Sequence, residues 1–243
     1  MVKTPKGYMV EKGLIHRLKK YQVFYDEAHA KELNLPEDTL ITPETPYHKR
    51  ILVKLLEFDE LLDSSNMVMS DWVKIAKTIE DNYKDYDGFI VLHGTDTMAY
   101  TAAGLSFMLE NLNKTVVVTG SQIPIVELKN DAVDNLLGSI LVAGHYSIPE
   151  VAIFFNNKLI RGNRATKEST SDMGAFNSPN FEPLGVMGVN FEIKWENIQR
   201  HVFEGKLNVF TNMSNNISMI SISPCLNIKA IEAILSNSEG KLF

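Results

Sequence analysis

A threonine and an aspartate at the end of an apolar segment are the residues of this sequence best placed for chemistry. Thr95 and Asp96 follow the apolar run at 88–92 and directly precede a helical pattern. In open α/β sheets, ligands bind at the carboxyl ends of the parallel strands. The carboxylate can bind a ligand ammonium, and the hydroxyl can attack or orient a carbonyl if an adjacent base activates it. Helix capping by the same short polar side chains is the alternative that the residues leave open.

A lysine later in the chain is a candidate for that base. Lys167 ends the stretch RGNRATK at 161–167, which holds three cations within seven residues. A lysine can take a proton from a hydroxyl when burial and positive neighbours favour its neutral form. The alternative interpretation is a solvated basic turn.

Two further polar segments follow predicted strands. Asp63, Ser64 and Ser65 come after a predicted strand at 51–58, and their hydroxyls and loop N–H groups can bind a ligand carboxylate. Capping is again the alternative for this segment. Ser121 lies in the turn after another apolar run. Because all of these segments follow strands, we expect them at the same rim of one sheet.

The elements that position these residues follow from the distribution of apolar residues. Runs at 88–92, 115–119 and 151–155 predict strands, and helical spacing over about 97–111 and 131–145 predicts the helices between them. Near-continuous apolar strands are typical of a parallel sheet that is covered on both faces. The sequence therefore predicts an α/β fold, an open and mostly parallel sheet flanked by helices.

The pattern changes after this sheet. We predict a main domain over residues 1–194, a linker over 195–206 and the start of a smaller α/β C-terminal domain over 207–243. Within the last segment, 219–223 is predicted as a strand and about 228–235 as a helix. One strand–helix unit cannot bury its own apolar face, so we expect this segment to pack on the main domain, to pair with another chain or to be cut off from a longer domain.

Composition excludes several classes of partner. The 243 residues carry a net charge of −6 with no long basic run, which argues against nucleic acid. No stretch approaches the roughly 20 apolar residues of a membrane span. Cys225 is the single cysteine, so no internal disulfide forms and a reducing, cytoplasmic location is expected. One cysteine and six scattered histidines offer no zinc spacing.

The polar segments together resemble the L-asparaginase family, specifically its cytosolic type I branch. The similarity rests mainly on HGTDTMAY at 93–100 and RGNRATK at 161–167, supported by DSSNM at 63–67 and TGSQIP at 119–124. The resemblance implies an amidohydrolase that converts L-asparagine and water to L-aspartate and ammonia, without a metal or an organic cofactor. It also implies a homodimer or homotetramer for the full-length protein.

The resemblance assigns roles by position. Thr95 is the hydroxyl partner, Lys167 its activating group and Asp96 the clamp on the substrate α-ammonium. The implied substrate-binding residues are Asp63, Ser64, Ser65 and Ser121, with Ser64 placed for the α-carboxylate and Ser121 near the side-chain amide. Tyr8 matches the tyrosine of a mobile lid, and such lids exclude water when they close.

Two departures from the family pattern shape the expectations for this chain. The family's first strand ends in a TGGTIGM motif that carries the primary nucleophile, and Met1 aligns with its last residue. The family's C-terminal domain also continues beyond residue 243. We therefore expect a chain truncated at both ends and impaired in catalysis. The alternative is a non-catalytic paralogue or fragment that binds asparagine or aspartate.

Overall fold

The computed structural model describes residues 2–5, 7–199, 205–214, 217, 219–220 and 223–237. The chain divides into two compact units, Met1–Val209 and Phe210–Phe243. The helices are α1 (Leu14–Leu18), α2 (Glu27–Glu32), α3 (Met69–Asn82), α4 (Met98–Met108), α5 (Ala132–His145) and α6 (Ile228–Asn237). The strands are β1 (Val2–Thr4), β2 (Gly7–Met9), β3 (Thr39–Ile41), β4 (Leu52–Lys54), β5 (Gly88–Leu92), β6 (Leu109–Glu110), β7 (Thr115–Thr119), β8 (Val151–Phe155), β9 (Lys158–Arg161), β10 (Thr166–Lys167), β11 (Phe176–Asn177), β12 (Gly185–Met187), β13 (Phe191–Ile193) and β14 (Asn208–Val209).

A six-stranded sheet forms the centre of the first unit, in the order β13-β12-β9-β8-β7-β5. Strands β5, β7 and β8 are parallel, and β9, β12 and β13 continue the sheet with antiparallel pairings. Leu92 of β5 is level with Thr119 of β7, so the two strands end at the same rim. The α/β fold and the open sheet flanked by helices are confirmed, and its parallel part carries the site described below.

The core lies against the two middle parallel strands. All five residues of β7 and all five of β8 are buried, so helices or loops cover both faces of these strands. Val117 and Phe154 pack with Val142 of α5 in one apolar cluster. Each fully buried side chain of this kind contributes roughly 1.5–3 kcal/mol. Burial of these apolar runs thus stabilises the middle of the sheet.

The region before β5 differs from the sequence prediction. The strand expected at 51–58 is limited to β4, which pairs with β3 in a separate two-stranded ribbon. The segment with Asp63 therefore does not follow a strand of the central sheet, and the expectation that it did was wrong. The prediction failed because the alternation of apolar residues after Lys54 has no defined period.

The last part of the chain agrees in part with its prediction. Helix α6 is present where a helix was predicted, whereas Met219 and Ile220 are not in a strand and residues 221 and 222 lie outside the described residues. Strand β14 pairs with β6 in the first unit. The domain boundaries at 194 and 206 stay predictions. Among the helices described, none has the length and hydropathy needed to cross a bilayer.

Candidate active site

Two turns at the carboxyl ends of β5 and β7 are pressed closely together. The His93 N–H donates to the Thr119 carbonyl at 2.8 Å. A Cβ at Gly120 would lie 2.1 Å from the His93 oxygen, and a Cβ at Gly94 would lie 2.5 Å from Ser64 Oγ. These are contacts that only glycine permits. The glycines thus allow the segment carrying Thr95 to lie against its neighbours.

Thr95, Asp96 and Lys167 meet at this rim. Lys167 Nζ donates to Thr95 Oγ1 at 2.9 Å and to Asp96 Oδ1 at 2.8 Å. The Lys167 side chain is 14% exposed, whereas that of Asp96 is 62% exposed. A solvated basic turn is therefore the wrong interpretation of Lys167. The cluster has a protected cation on one side and a solvent-facing carboxylate on the other.

Thr95 and Asp96 do not cap helix α4. Thr97 is the N-cap residue of α4, and no side chain makes a capping hydrogen bond there. The Asp96 carboxylate instead contacts Lys167. An amine that contacts both a hydroxyl and a carboxylate is an arrangement suited to activating a nucleophile and holding a cationic group.

The path of the chain to Lys167 differs from the one that the sequence predicts. Strand β9 runs antiparallel to β8, so its last residue, Arg161, lies level with Ala152 at the opposite end of the sheet. A 3-10 turn at Gly162–Arg164 follows, and β10 then pairs with β11, where Lys167 is opposite the buried Phe176. The stretch that ends at Lys167 follows a strand, as predicted, but that strand is antiparallel and ends away from the rim, so β10 brings Lys167 to Thr95.

The segment 63–66, which precedes α3 in the chain, lies at the same rim. Ser64–Asn66 is a 3-10 turn, and the Asp63 carboxylate caps it by accepting from the N–H and the hydroxyl of Ser65, both at 3.0 Å. Thr97 Oγ1 donates to the Ser64 carbonyl at 2.7 Å, which ties the turn to the start of α4. Ser64 is buried, whereas Asp63 and Ser65 are exposed. Asp63 thus has the capping role that the sequence left open, beside the Thr95 cluster.

The loop after β7 carries Ser121 and a residue that the sequence argument did not single out, Gln122. Asp131 accepts from the backbone N–H groups of Gln122 and Ile123 at 3.0 and 2.9 Å and so fixes the loop. The side chain of Gln122 then contacts Thr95 Oγ1 through its Oε1 at 3.1 Å. A lone glutamine carries no distinctive sequence signal, and only its position next to Ser121 in a strand-end turn pointed to this loop.

His93 secures the backbone just before Thr95. Its Nδ1 lies 2.6 Å from the Gly94 carbonyl and its Nε2 lies 2.8 Å from Thr101 Oγ1, which also accepts from Trp72 Nε1 at 2.9 Å. A carbonyl oxygen can only accept, so Nδ1 carries the proton and Nε2 accepts from Thr101. Burial lowers the pKa of His93 and favours this neutral ring.

Tyr8, the predicted lid residue, lies on strand β2 of an N-terminal hairpin. Its hydroxyl donates to Glu127 Oε1 at 2.7 Å. Glu127 belongs to the loop between β7 and α5 that also carries Gln122. The hairpin thus contacts a loop of the rim, and the role of Tyr8 as a lid stays a prediction. Over the described ranges, no group of three or more His, Cys, Asp or Glu side chains is arranged to hold a metal ion.

Comparisons with known proteins show which family the chain is similar to. The family pattern described as Asparaginase, N-terminal, matches residues 9–199. The chain is 44% identical over 224 residues to the 60 kDa lysophospholipase of Mus musculus, covering 92% of this chain and 40% of that protein. It is 48% identical over 179 residues to L-asparaginase 1 of Escherichia coli (strain K12), covering 74% of this chain and 53% of that protein.

A solved structure extends the similarity to the fold. The crystal structure of L-asparaginase I from Vibrio cholerae matches with a TM-score of 0.70 at 46% identity, over 74% of this chain and 55% of that chain. The chain belongs to the asparaginase family, and these bacterial relatives are type I members of it. It spans 40% of the mouse relative and about half of the bacterial ones.

Proposed function

We propose that the protein hydrolyses the side-chain amide of L-asparagine to give L-aspartate and ammonia. The observation that carries this proposal is the contact of Lys167 Nζ with both Thr95 Oγ1 and Asp96 Oδ1. Membership of the asparaginase family supports it independently. The range 9–199 that matches the family contains all three residues.

The three residues divide the work by their chemistry. Thr95 supplies the hydroxyl that attacks or orients the amide carbonyl, and the neutral form of Lys167 takes the hydroxyl proton. When the Thr95 hydroxyl attacks, an ester forms between its oxygen and the acyl carbon of the substrate, and the C–N bond breaks. Ammonia leaves with a proton from the Lys167 ammonium, and water then hydrolyses the ester. Asp96 is the exposed member of the cluster, so its carboxylate is free to bind the α-ammonium of the substrate.

The neighbouring turns complete the proposed substrate site. Asp63, Ser64 and Ser65 bind the α-amino acid end of the substrate, because their turn is tied to α4 through Thr97 and Ser64. Ser121 lies beside the side-chain amide, in the loop whose next residue contacts Thr95. Tyr8 acts as the lid, since its hydroxyl docks on the same loop at Glu127.

Ester hydrolysis is the second candidate, because the mouse relative carries the name 60 kDa lysophospholipase. Ester and amide hydrolysis both use an activated hydroxyl and differ in the leaving group, so the surface that binds the rest of the substrate distinguishes the two candidates. A lysophospholipid needs an apolar surface for its acyl chain, whereas the groups that contact Thr95 are the polar side chains of Lys167 and Gln122. This polarity favours the small amino acid.

The proposed function is tested by ammonia release from L-asparagine, with fatty acid release from lysophosphatidylcholine measured in parallel. We expect impaired ammonia release by the unmodified chain and its further loss in Thr95→Val. Thr78→Val is the control, because the half-buried Thr78 lies on α3, where its hydroxyl donates to the Lys74 carbonyl. Fatty acid release without ammonia release would establish the second candidate instead.

The same samples decide the non-catalytic alternative. Calorimetric binding of L-asparagine without release of either product would make the chain a binding protein for asparagine or aspartate. We further propose a cytoplasmic, homo-oligomeric protein without a cofactor. The single cysteine supports a reducing compartment. Sedimentation of the purified chain measures its oligomeric state.

A further inference from the structure

The side chain of Gln122 connects three segments of the rim. Its Oε1 lies 3.1 Å from Thr95 Oγ1, and its Nε2 donates to the carbonyls of Asp172 at 3.1 Å and Ser169 at 3.4 Å. Its backbone N–H is held by Asp131. One amide therefore spans the turn that carries Thr95 and the loop that follows Lys167.

The orientation of this amide is determined by its partners. The carbonyls of Ser169 and Asp172 can only accept hydrogen bonds, so the NH₂ group of Gln122 must face them. The reversed orientation would direct Oε1 at two carbonyl oxygens and lose both bonds. The amide oxygen of Gln122 is therefore the atom that faces Thr95.

This assignment fixes the hydroxyl proton of Thr95. An amide oxygen only accepts, so the Thr95 hydroxyl donates to Gln122. A lysine ammonium only donates, so Thr95 Oγ1 accepts from Lys167. While Lys167 is an ammonium, the proton of Thr95 points toward Gln122 and a lone pair of the same oxygen points toward Lys167. When Lys167 is neutral, the hydroxyl turns its proton from Gln122 to the amine, and the oxygen stays in place.

We propose that Gln122 is a positioning residue that holds the Thr95 hydroxyl in the rotamer in which its oxygen contacts Lys167. This inference rests on the proposed function for its catalytic consequence, and its geometric part stands without it. Gln122 acts only through Thr95 and through the spacing of the two loops. A displacement of about 1 Å in such a group can lower the rate by a factor of 10².

Substitution of Gln122 by methionine tests the proposal, because methionine has a similar length and lacks both hydrogen-bonding groups. We expect Gln122→Met to lower kcat for L-asparagine at least about tenfold and to leave KM within about threefold, since Thr95 acts in the chemical step. Gln199→Met is the matched control. Gln199 is exposed, and its described hydrogen bond is made by its backbone N–H to Glu150.

A second background separates positioning from a general structural role. Serine lacks the branched Cβ that restricts the χ1 angle of threonine, so a serine hydroxyl depends more on an external partner for its orientation. In Thr95→Ser, the loss of kcat caused by Gln122→Met should be at least about threefold larger than in the unmodified chain. Equal losses in both backgrounds would overturn the proposal.

A crystal structure of Thr95→Ser combined with Gln122→Met gives a result that needs no activity. We expect the hydroxyl of residue 95 to occupy more than one rotamer, with its contact to Lys167 lost in at least one. A single rotamer in unchanged contact with Lys167 would contradict the proposal. A chain that neither binds nor hydrolyses L-asparagine would refute the proposed function, and the rotamer result would still decide the role of Gln122.

Discussion

Two ion pairs of the first unit show how a structural pair differs from a reactive one. The pair of Glu150 and Arg161 has side chains that are 5% and 12% exposed, and both members have further partners. Arg161 also donates to the Asn197 carbonyl at 2.6 Å, and Glu150 also accepts from the Gln199 N–H at 2.8 Å. The guanidinium lies 4.5 Å from the ring centroid of Phe181. Because both side chains are buried and already bonded within the protein, this pair is not available to a ligand.

The pair of Asp96 and Lys167 is open on one side. Lys167 is mostly buried and shared with Thr95, whereas Asp96 faces solvent. A buried pair of charges is stable only when its hydrogen-bonding groups are satisfied internally. An exposed carboxylate next to a protected amine retains capacity for a ligand. The difference implies that changes at the first pair alter stability, and that changes at the second alter binding and turnover.

The largest effect is expected at Lys167. Lys167→Met removes the group that contacts both Thr95 and Asp96, so turnover of L-asparagine should fall about 10³-fold or more. The free energy of unfolding should change by less than about 1 kcal/mol, because Asp96 is left in solvent. Steady-state kinetics and urea denaturation measure the two quantities. Lys129→Met, at an exposed position in the loop before α5, is the control.

Glu150→Gln should have the opposite profile. It leaves the Arg161 charge buried without its carboxylate, so the free energy of unfolding should fall by about 3 kcal/mol. The kcat of the folded protein should be unchanged. Glu182→Gln removes a carboxylate from the exposed pair with Lys194 and should cost less than about 1 kcal/mol. Equal losses for the two variants would show that Glu150 and Arg161 are not a closed, structural pair.

Asp96→Asn should weaken binding more than it changes stability. Loss of the charged hydrogen bond to the α-ammonium should raise the Kd of L-asparagine about tenfold to a hundredfold. Succinamic acid has the same amide and carboxylate but no amino group, so its affinity should not fall in this variant. Calorimetric titration of both compounds measures the difference. A parallel loss of affinity for both would place the ammonium elsewhere.

The smallest effect is expected in the pH dependence of stability. Burial holds the pKa of His93 below its ordinary value of 6.5. The unfolded chain then binds the His93 proton more readily than the folded chain, so stability falls as the pH drops from about 6.5 toward the lowered value. In His93→Gln, the decrease in the free energy of unfolding between pH 7 and pH 5 should be smaller by about 1 kcal/mol or less. Thermal denaturation from pH 5 to pH 7 measures this difference.

Two other histidines provide the comparison for that measurement. Burial also lowers the pKa of His145, which should account for part of the pH dependence that remains. His16 lies on the exposed surface, and His16→Gln is the matched control substitution. A His93→Gln variant with the pH dependence of the unmodified chain would contradict a neutral, half-buried His93.

The sequence predicted the parallel strands and the polar residues at their ends, because apolar runs and strand-end turns are local signals. It could not predict the path to Lys167, since the antiparallel direction of β9 depends on long-range pairing. It also missed Gln122 and His93, whose roles arise from contacts between separate segments. The strand predicted at 51–58 is limited to β4, whose residues pair with β3 outside the central sheet.

The most direct test of the central claim is a crystal structure of the chain with bound L-aspartate. The α-ammonium should lie beside the Asp96 carboxylate, and the side-chain carboxyl carbon should lie about 3–3.5 Å from a reactive hydroxyl at the Thr95 and Lys167 cluster. A ligand bound away from this cluster, or a bound state in which Thr95 and Lys167 are separated, would contradict the assignment of the L-asparagine site.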